Sequence, residues 1–144
     1  MSRSSQAFDF RKPVAYNASA KDAFHRSARR QLKLLATALG LPSEKFDLRS
    51  NKAGVAVSGE VTLHADRIYV QVSQSVMGPD CGILIRTCQG RRDYVGGPDN
   101  FASLDLLNRP EELARRIKAV CRLDEDAATT SAKPASAANE GAAR

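Results

Sequence analysis

The apolar residues of this chain change their spacing at Pro42, and that change constrains the fold more than any other feature. Between about Ala20 and Leu39, the residues Phe24, Ala28, Leu32, Leu35 and Leu39 recur every three or four positions, so they share one stripe of an α-helix. Ser19 and Asp22 stand at capping-box spacing, and Gly40, Leu41 and Pro42 supply a left-handed stop, an apolar contact behind it and a breaker. After Pro42 the period is two. Phe46 and Leu48 alternate with charge, and Asn51-Lys52-Ala53-Gly54 reads as a turn. Val55, Val57, Val61 and Leu63 then alternate with Ala56, Ser58, Glu60, Thr62 and His64, with Gly59 as a bulge or bend in one long strand. Asp66-Arg67 turns the chain into Ile68, Val70 and Val72, and a fourth strand covers about Gly82 to Cys88.

Strands with one apolar and one polar face suit an antiparallel sheet covered on a single side. A second helix starts near Pro110, with Asn108 and Glu111 at capping-box spacing, and turns Leu113, Ile117 and Val120 toward the sheet. The expected fold is therefore α+β: an antiparallel β-meander of about four strands with an N-terminal and a C-terminal helix packed on one face, in the order α-β-β-β-β-α. The outer sheet face is then left to solvent or to a partner.

The 144 residues leave room for one core. Residues 1–17 read as a partly ordered arm in which Phe8 and Phe10 alternate with Asp9 and Arg11, residues 18–123 as the compact domain, and residues 124–144 as an Ala-rich tail. That tail lacks large apolar side chains to offset the entropy of ordering, so it is expected to be disordered. No stretch approaches the roughly 20 apolar residues that span a bilayer, and no apolar signal core follows Arg3. Cys81, Cys88 and Cys121 do not have the spacing of a disulfide framework. These features point to a cytoplasmic protein with reduced thiols and no membrane partner.

The net charge is +6, but Asp124, Glu125, Asp126 and Glu140 against Lys133 and Arg144 give the tail −2, so residues 1–123 carry +8. Such a field favours an acidic partner. It is densest on the first helix, where His25, Arg26, Arg29, Arg30 and Lys33 lie opposite the apolar stripe. A solvated face is the ordinary explanation of such a stripe. Like charges three and four residues apart repel, however, and only Asp22 is at hand to relieve them, which raises the case for phosphate contacts. A second cluster, Arg86, Arg91 and Arg92, accompanies Gly90, Gly96 and Gly97, whose backbone N–H groups are of the kind that cradle a phosphate. No Walker or dinucleotide-binding pattern surrounds them. On the second helix, Glu111 and Glu112 precede Arg115 and Arg116 at i,i+4 spacing, which accounts for those bases locally.

The polar sheet face offers Glu60, Thr62, His64, Tyr69, Gln71 and Ser73, and the neighbouring loop ends at Phe101. Catalysis would have to rest on Cys88 or Cys81 with His64, a pairing that no spacing fixes. No zinc-like spacing is present, so neither a metal nor a cofactor is expected. The reading is a small basic, non-enzymatic binding protein whose favoured partner is nucleic acid or a nucleoprotein complex, held by His25, Arg26, Arg29, Arg30, Lys33, Arg86, Arg91 and Arg92. The alternative is an accessory or inhibitor protein, such as one from a mobile element. It would dock on another protein, an acidic surface included, through the polar sheet face and the 96–101 loop.

Overall fold

The computed structural model describes residues 8–14, 17–53, 57–74 and 77–121. The expected tail, and Val55 and Ala56 of the expected long strand, lie outside the described residues. Helix α1 (Ala18–Ala38) begins two residues earlier than the Ser19 signal implies, because Asn17 is the cap: its side-chain oxygen accepts the Ala20 N–H at 3.0 Å. The helix ends as expected. Gly40 has φ 77°, its N–H donates to Thr37 O at 3.0 Å, and the Leu41 N–H donates to Ala36 O at 2.8 Å. These two bonds form a Schellman motif, which glycine closes without Cβ strain.

Five antiparallel strands follow in sequence order: β1 (Phe46–Asn51), β2 (Glu60–Ala65), β3 (Ile68–Val72), β4 (Ile83–Thr87) and β5 (Asn100–Ala102). The α+β class and the helix-sheet-helix order agree with the sequence reading, while the sheet has one strand more. β5 holds only three residues after a Gly-Gly-Pro loop, too few to show an alternation. β2 begins at Glu60 and not at Val55. Val57 and Ser58 lie in a turn, and Gly59, at φ 74°, bends the chain so closely past α1 that a Cβ there would sit 2.9 Å from His25 Nε2.

The register sets two rows on the inner face: Leu48, Leu63, Val70 and Ile85, then Val61, Val72, Ile83 and Ala102. Helix α1 lies over β2, α2 (Pro110–Cys121) lies over β4, and the helices also touch each other. Phe24, Ala28, Leu32 and Leu35 from α1 and Leu113 and Ile117 from α2 fill the space between. Each large apolar side chain so buried contributes about 1.5–3 kcal/mol. Asn108 does not cap α2. Its amide donates to Phe8 O at 2.8 Å and so fastens the N-terminal arm.

Residues 8–14 of that arm belong to the domain. Phe10 is buried with its ring 5.8 Å from that of Phe24. Gln74 accepts the Val14 N–H and donates to Phe10 O and Lys12 O at 2.8 and 2.7 Å. Arg11 bridges Asp80 and Asp105 at 3.0 and 3.2 Å. Among the described residues no helix is long and apolar enough to cross a membrane.

Candidate nucleic-acid interface

The outward side of α1 carries Arg26, Arg30 and Lys33, all exposed, with the half-buried Arg29 beside them. Together with Ser27 they line a shallow depression of about 530 Å³. Helical periodicity places them there, since the opposite stripe is held in the core. Asp22, the acid expected to relieve this stripe, is bonded to Lys52 Nζ at 2.8 Å. That bond holds its carboxyl below the usual range, with Arg26 contributing only a weaker share. Among the described residues, no carboxylate lies within ion-pair distance of Arg26, Arg30 or Lys33. Arg29 is spent differently. Its guanidinium donates to Leu48 O at 3.3 Å and Ser50 Oγ at 3.2 Å, covering part of the β1 edge.

His25 does not join this surface. It is 2% exposed, and its Nε2–H donates to Ser58 O at 2.7 Å, leaving Nδ1 buried without a partner. Burial, only partly opposed by the bond to Ser58, holds its pKa below that of a free histidine. The helical angle that separates His25 from the core stripe also turns it under the β1–β2 connection, a closure the sequence does not reveal.

The second basic cluster is likewise drawn inward. Arg86 Nε donates to Asp99 at 2.6 Å, and its guanidinium lies 5.7 Å from the Tyr69 ring centre. Arg91 reaches Asp47 at 3.3 Å and Glu44 O at 2.6 Å. Arg92 alone of the three is exposed. The glycines do not form an empty phosphate cradle, because the chain supplies its own anion. Asp93 accepts N–H bonds from Gln89, Val95 and Gly96 at 3.0, 3.2 and 3.0 Å, and these lower its pKa, Gly96 most. Gly96, at φ 65°, passes so close to β4 that a Cβ would sit 2.7 Å from Thr87 O. Its conformation serves that approach.

The outer sheet face is consequently half covered. The loop between β4 and β5 runs back across β3 and β2 as far as β1. The row Asp47, His64, Tyr69 and Arg86 lies beneath it, and the row Arg49, Thr62, Gln71, Leu84 and Phe101 beside it. His64 is fully buried there. Arg49 Nη2 donates to its Nδ1 at 3.0 Å, and its Nε2–H donates to Gly90 O at 3.0 Å. Arginine only donates and a carbonyl only accepts, so the ring must be the neutral Nε2–H tautomer. Burial first and the Arg49 charge second hold its pKa below the ordinary value. Tyr94 packs edge-on against the ring at 5.4 Å and beneath the Arg49 guanidinium.

Of the other expected surface residues, Thr62 is buried, and Tyr69 and Gln71 bond to each other at 3.1 Å. Glu60 stands at the start of β2. Ser73 lies past the end of β3, with its N–H on Gly82 O. Tyr94, Asp93 and Arg49 organise this face and escaped the sequence reading. An Asp two and three residues before Val95 and Gly96 is the spacing of a side chain that closes its own turn, the one local signal available.

The thiol–imidazole pair is not assembled. Both His64 nitrogens are engaged elsewhere, and Cys88 Sγ donates to Ala65 O at 3.2 Å. Burial raises the Cys88 pKa and pushes that of Cys121 up to about 11. On α2 the i,i+4 pairs are not formed: Glu112 meets Arg109 at 3.4 Å, and Arg116 donates to Phe101 O at 3.0 Å. Compared with known proteins, the chain matches no family model, no curated protein and no solved structure.

Proposed function

We propose that this domain is a non-enzymatic binding protein that holds nucleic acid, or a nucleoprotein complex, on the outward face of α1. One observation carries the reading. Arg26, Arg30 and Lys33 stand on consecutive turns with no carboxylate paired to any of them among the described residues, whereas Arg11, Arg49, Arg86, Arg91 and Arg109 each meet an acid of the chain. Clustered cations without internal partners repel one another, and phosphates relieve that repulsion while releasing counterions. All three cysteines are free, which suits a reducing compartment such as the cytoplasm.

The test is a fluorescence-anisotropy titration of labelled DNA and RNA with the full chain and with its Arg26→Glu, Arg30→Glu variant. Binding should weaken steeply with salt and fall about a hundredfold in the variant. Absence of binding at low salt, or binding indifferent to the two substitutions, refutes the proposal.

A second reading, docking on another protein through the sheet side, is favoured by one feature. Tyr94 and Val95 are 61% and 81% exposed on a loop whose backbone Asp93 and Arg86 pin in place. Rigid exposed apolar side chains are typical anchors of protein interfaces. A partner retained in high salt by the wild type and lost by Val95→Asp would support this reading over the first.

A further inference from the structure

Resting on the nucleic-acid reading above, we infer that the partner at α1 is a duplex, held by its phosphate backbone, and not a single strand. Proteins that hold single strands combine a basic track with aromatic side chains on which the unstacked bases lie. Among the described residues those two components are apart: Phe8, Phe10, Phe24 and Phe46 pack in or against the core, and the remaining rings lie on the far side of the sheet from α1. The one aromatic ring of α1 other than His25, Phe24, is fully buried, so among the described residues the outward side of the helix has no stacking platform. Tyr69, Tyr94 and Phe101 belong to the outer sheet face or to the loop crossing it, while α1 packs on the inner face. A strand running along Arg26, Arg30 and Lys33 cannot also place its bases on those rings.

The spacing of the cations points the same way. Arg26 and Lys33 are seven residues apart, about 10 Å along a helix that rises about 1.5 Å per residue. Three cations over that length suit contacts to about three phosphates of a strand, which a duplex holds at fixed intervals. Helix α1 is 21 residues long and capped at both ends, so the cations ride on a rigid rod. Fixed cations lose least entropy against phosphates that are themselves held at fixed spacing, as they are in a duplex. The other long polar side chain near the stripe, Gln31, is occupied: its amide donates to Leu107 O at 2.7 Å.

The experiment uses the full chain with fluorescein-labelled probes of about 20 nucleotides: two duplexes of unrelated sequence and the separated strands of each, titrated across a salt series. Both duplexes should bind at least about ten times more tightly than any strand, with a logarithmic salt slope near −2.7, corresponding to about three phosphates. The Arg26→Glu, Arg30→Glu variant should lose that preference, and Tyr94→Ala, on the opposite side, should keep it. Single strands binding as tightly as duplexes, or a preference lost in Tyr94→Ala, overturns this inference and leaves the nucleic-acid reading standing. Absence of binding to every probe overturns both.

Discussion

Arg30 and Arg86 are the same residue in two different situations. Arg86 belongs to a face on which every cation except the exposed Arg92 has been given work inside the molecule. It bonds Asp99 at 2.6 Å, covers Tyr69, and shares that face with Arg49 and Arg91, which hold His64 and Asp47. Arg30 projects from α1 with cationic neighbours and, among the described residues, no acid in pairing range. The first arrangement lowers the free energy of the fold at the expense of surface available to others. The second adds repulsion to the fold and leaves the charge available. Positive charge in this domain is therefore informative only after the pairs are subtracted; what remains on the helical side is the Arg26, Arg30 and Lys33 stripe of α1, with Arg115, Arg116 and Lys118 of α2 as a second group without an acid partner among the described residues.

The contrast breaks most visibly at its centre, His64. His64→Ala removes two partly buried hydrogen bonds and two ring contacts and leaves Arg49 without its acceptor, so the domain should lose about 2–4 kcal/mol in urea unfolding. Nucleic-acid affinity of the folded fraction should be unchanged, because the face concerned lies across the sheet from α1. The converse substitution, Arg26→Glu with Arg30→Glu, should cost about 2.8 kcal/mol of binding, the equivalent of a hundredfold, with the unfolding midpoint nearly unmoved. If the two variants exchanged phenotypes, the division of labour between the faces would be wrong.

Much of the fold was legible in advance and rather less of the site, for a physical reason visible in particular residues. The stripes of α1 and the alternation of β2 and β3 are periodic, and periodicity is a local property that burial imposes directly on sequence. The stop at Gly40 and Leu41 is equally local. Glu60 as the true start of β2, by contrast, depends on Gly59 meeting His25, a contact between residues 34 positions apart. The fate of the cations depends on such distant contacts throughout. Nothing near Arg86 or Arg91 in sequence announces Asp99 or Asp47 as a partner, and nothing near His64 announces that Gly90 will close over it. The exposure of Arg26, Arg30 and Lys33 was readable because one helix determines it, and the withdrawal of His25 was not because a loop determines it.

Arg86→Ala measures the same contrast at smaller scale. With its partly buried pair to Asp99 and its cover over Tyr69 removed, the domain should lose about 1–2 kcal/mol, again read in urea. Acid should act through the buried histidine on each side of the sheet as well. His25 and His64 both have folded pKa values below the unfolded value near 6.5, so the unfolded chain takes up protons first as pH falls. Stability should be level above about pH 7, decline as pH drops through the unfolded pKa, and level off once the folded pKa values are passed. His64→Gln keeps a donor and an acceptor but cannot titrate, so its urea midpoint should fall less between pH 7.5 and 5.5 than that of the wild type. An equal fall would remove His64 from the acid response.

The smallest expected effect is the most discriminating. Arg26→Ala with Arg30→Ala deletes two large side chains, yet neither is paired with an acid and neither fills the core. Relief of the repulsion between Arg26 and Arg30 and between Arg30 and Lys33 should return a few tenths of a kcal/mol, offsetting any lost packing of the long stems. Unfolding free energy should therefore stay within about 0.5 kcal/mol of the wild type, in either direction, while nucleic-acid affinity falls by at least tenfold. A loss of stability like that of Arg86→Ala would mean that Arg26 and Arg30 hold the fold as the sheet-side arginines do, and the distinction between the two faces would collapse.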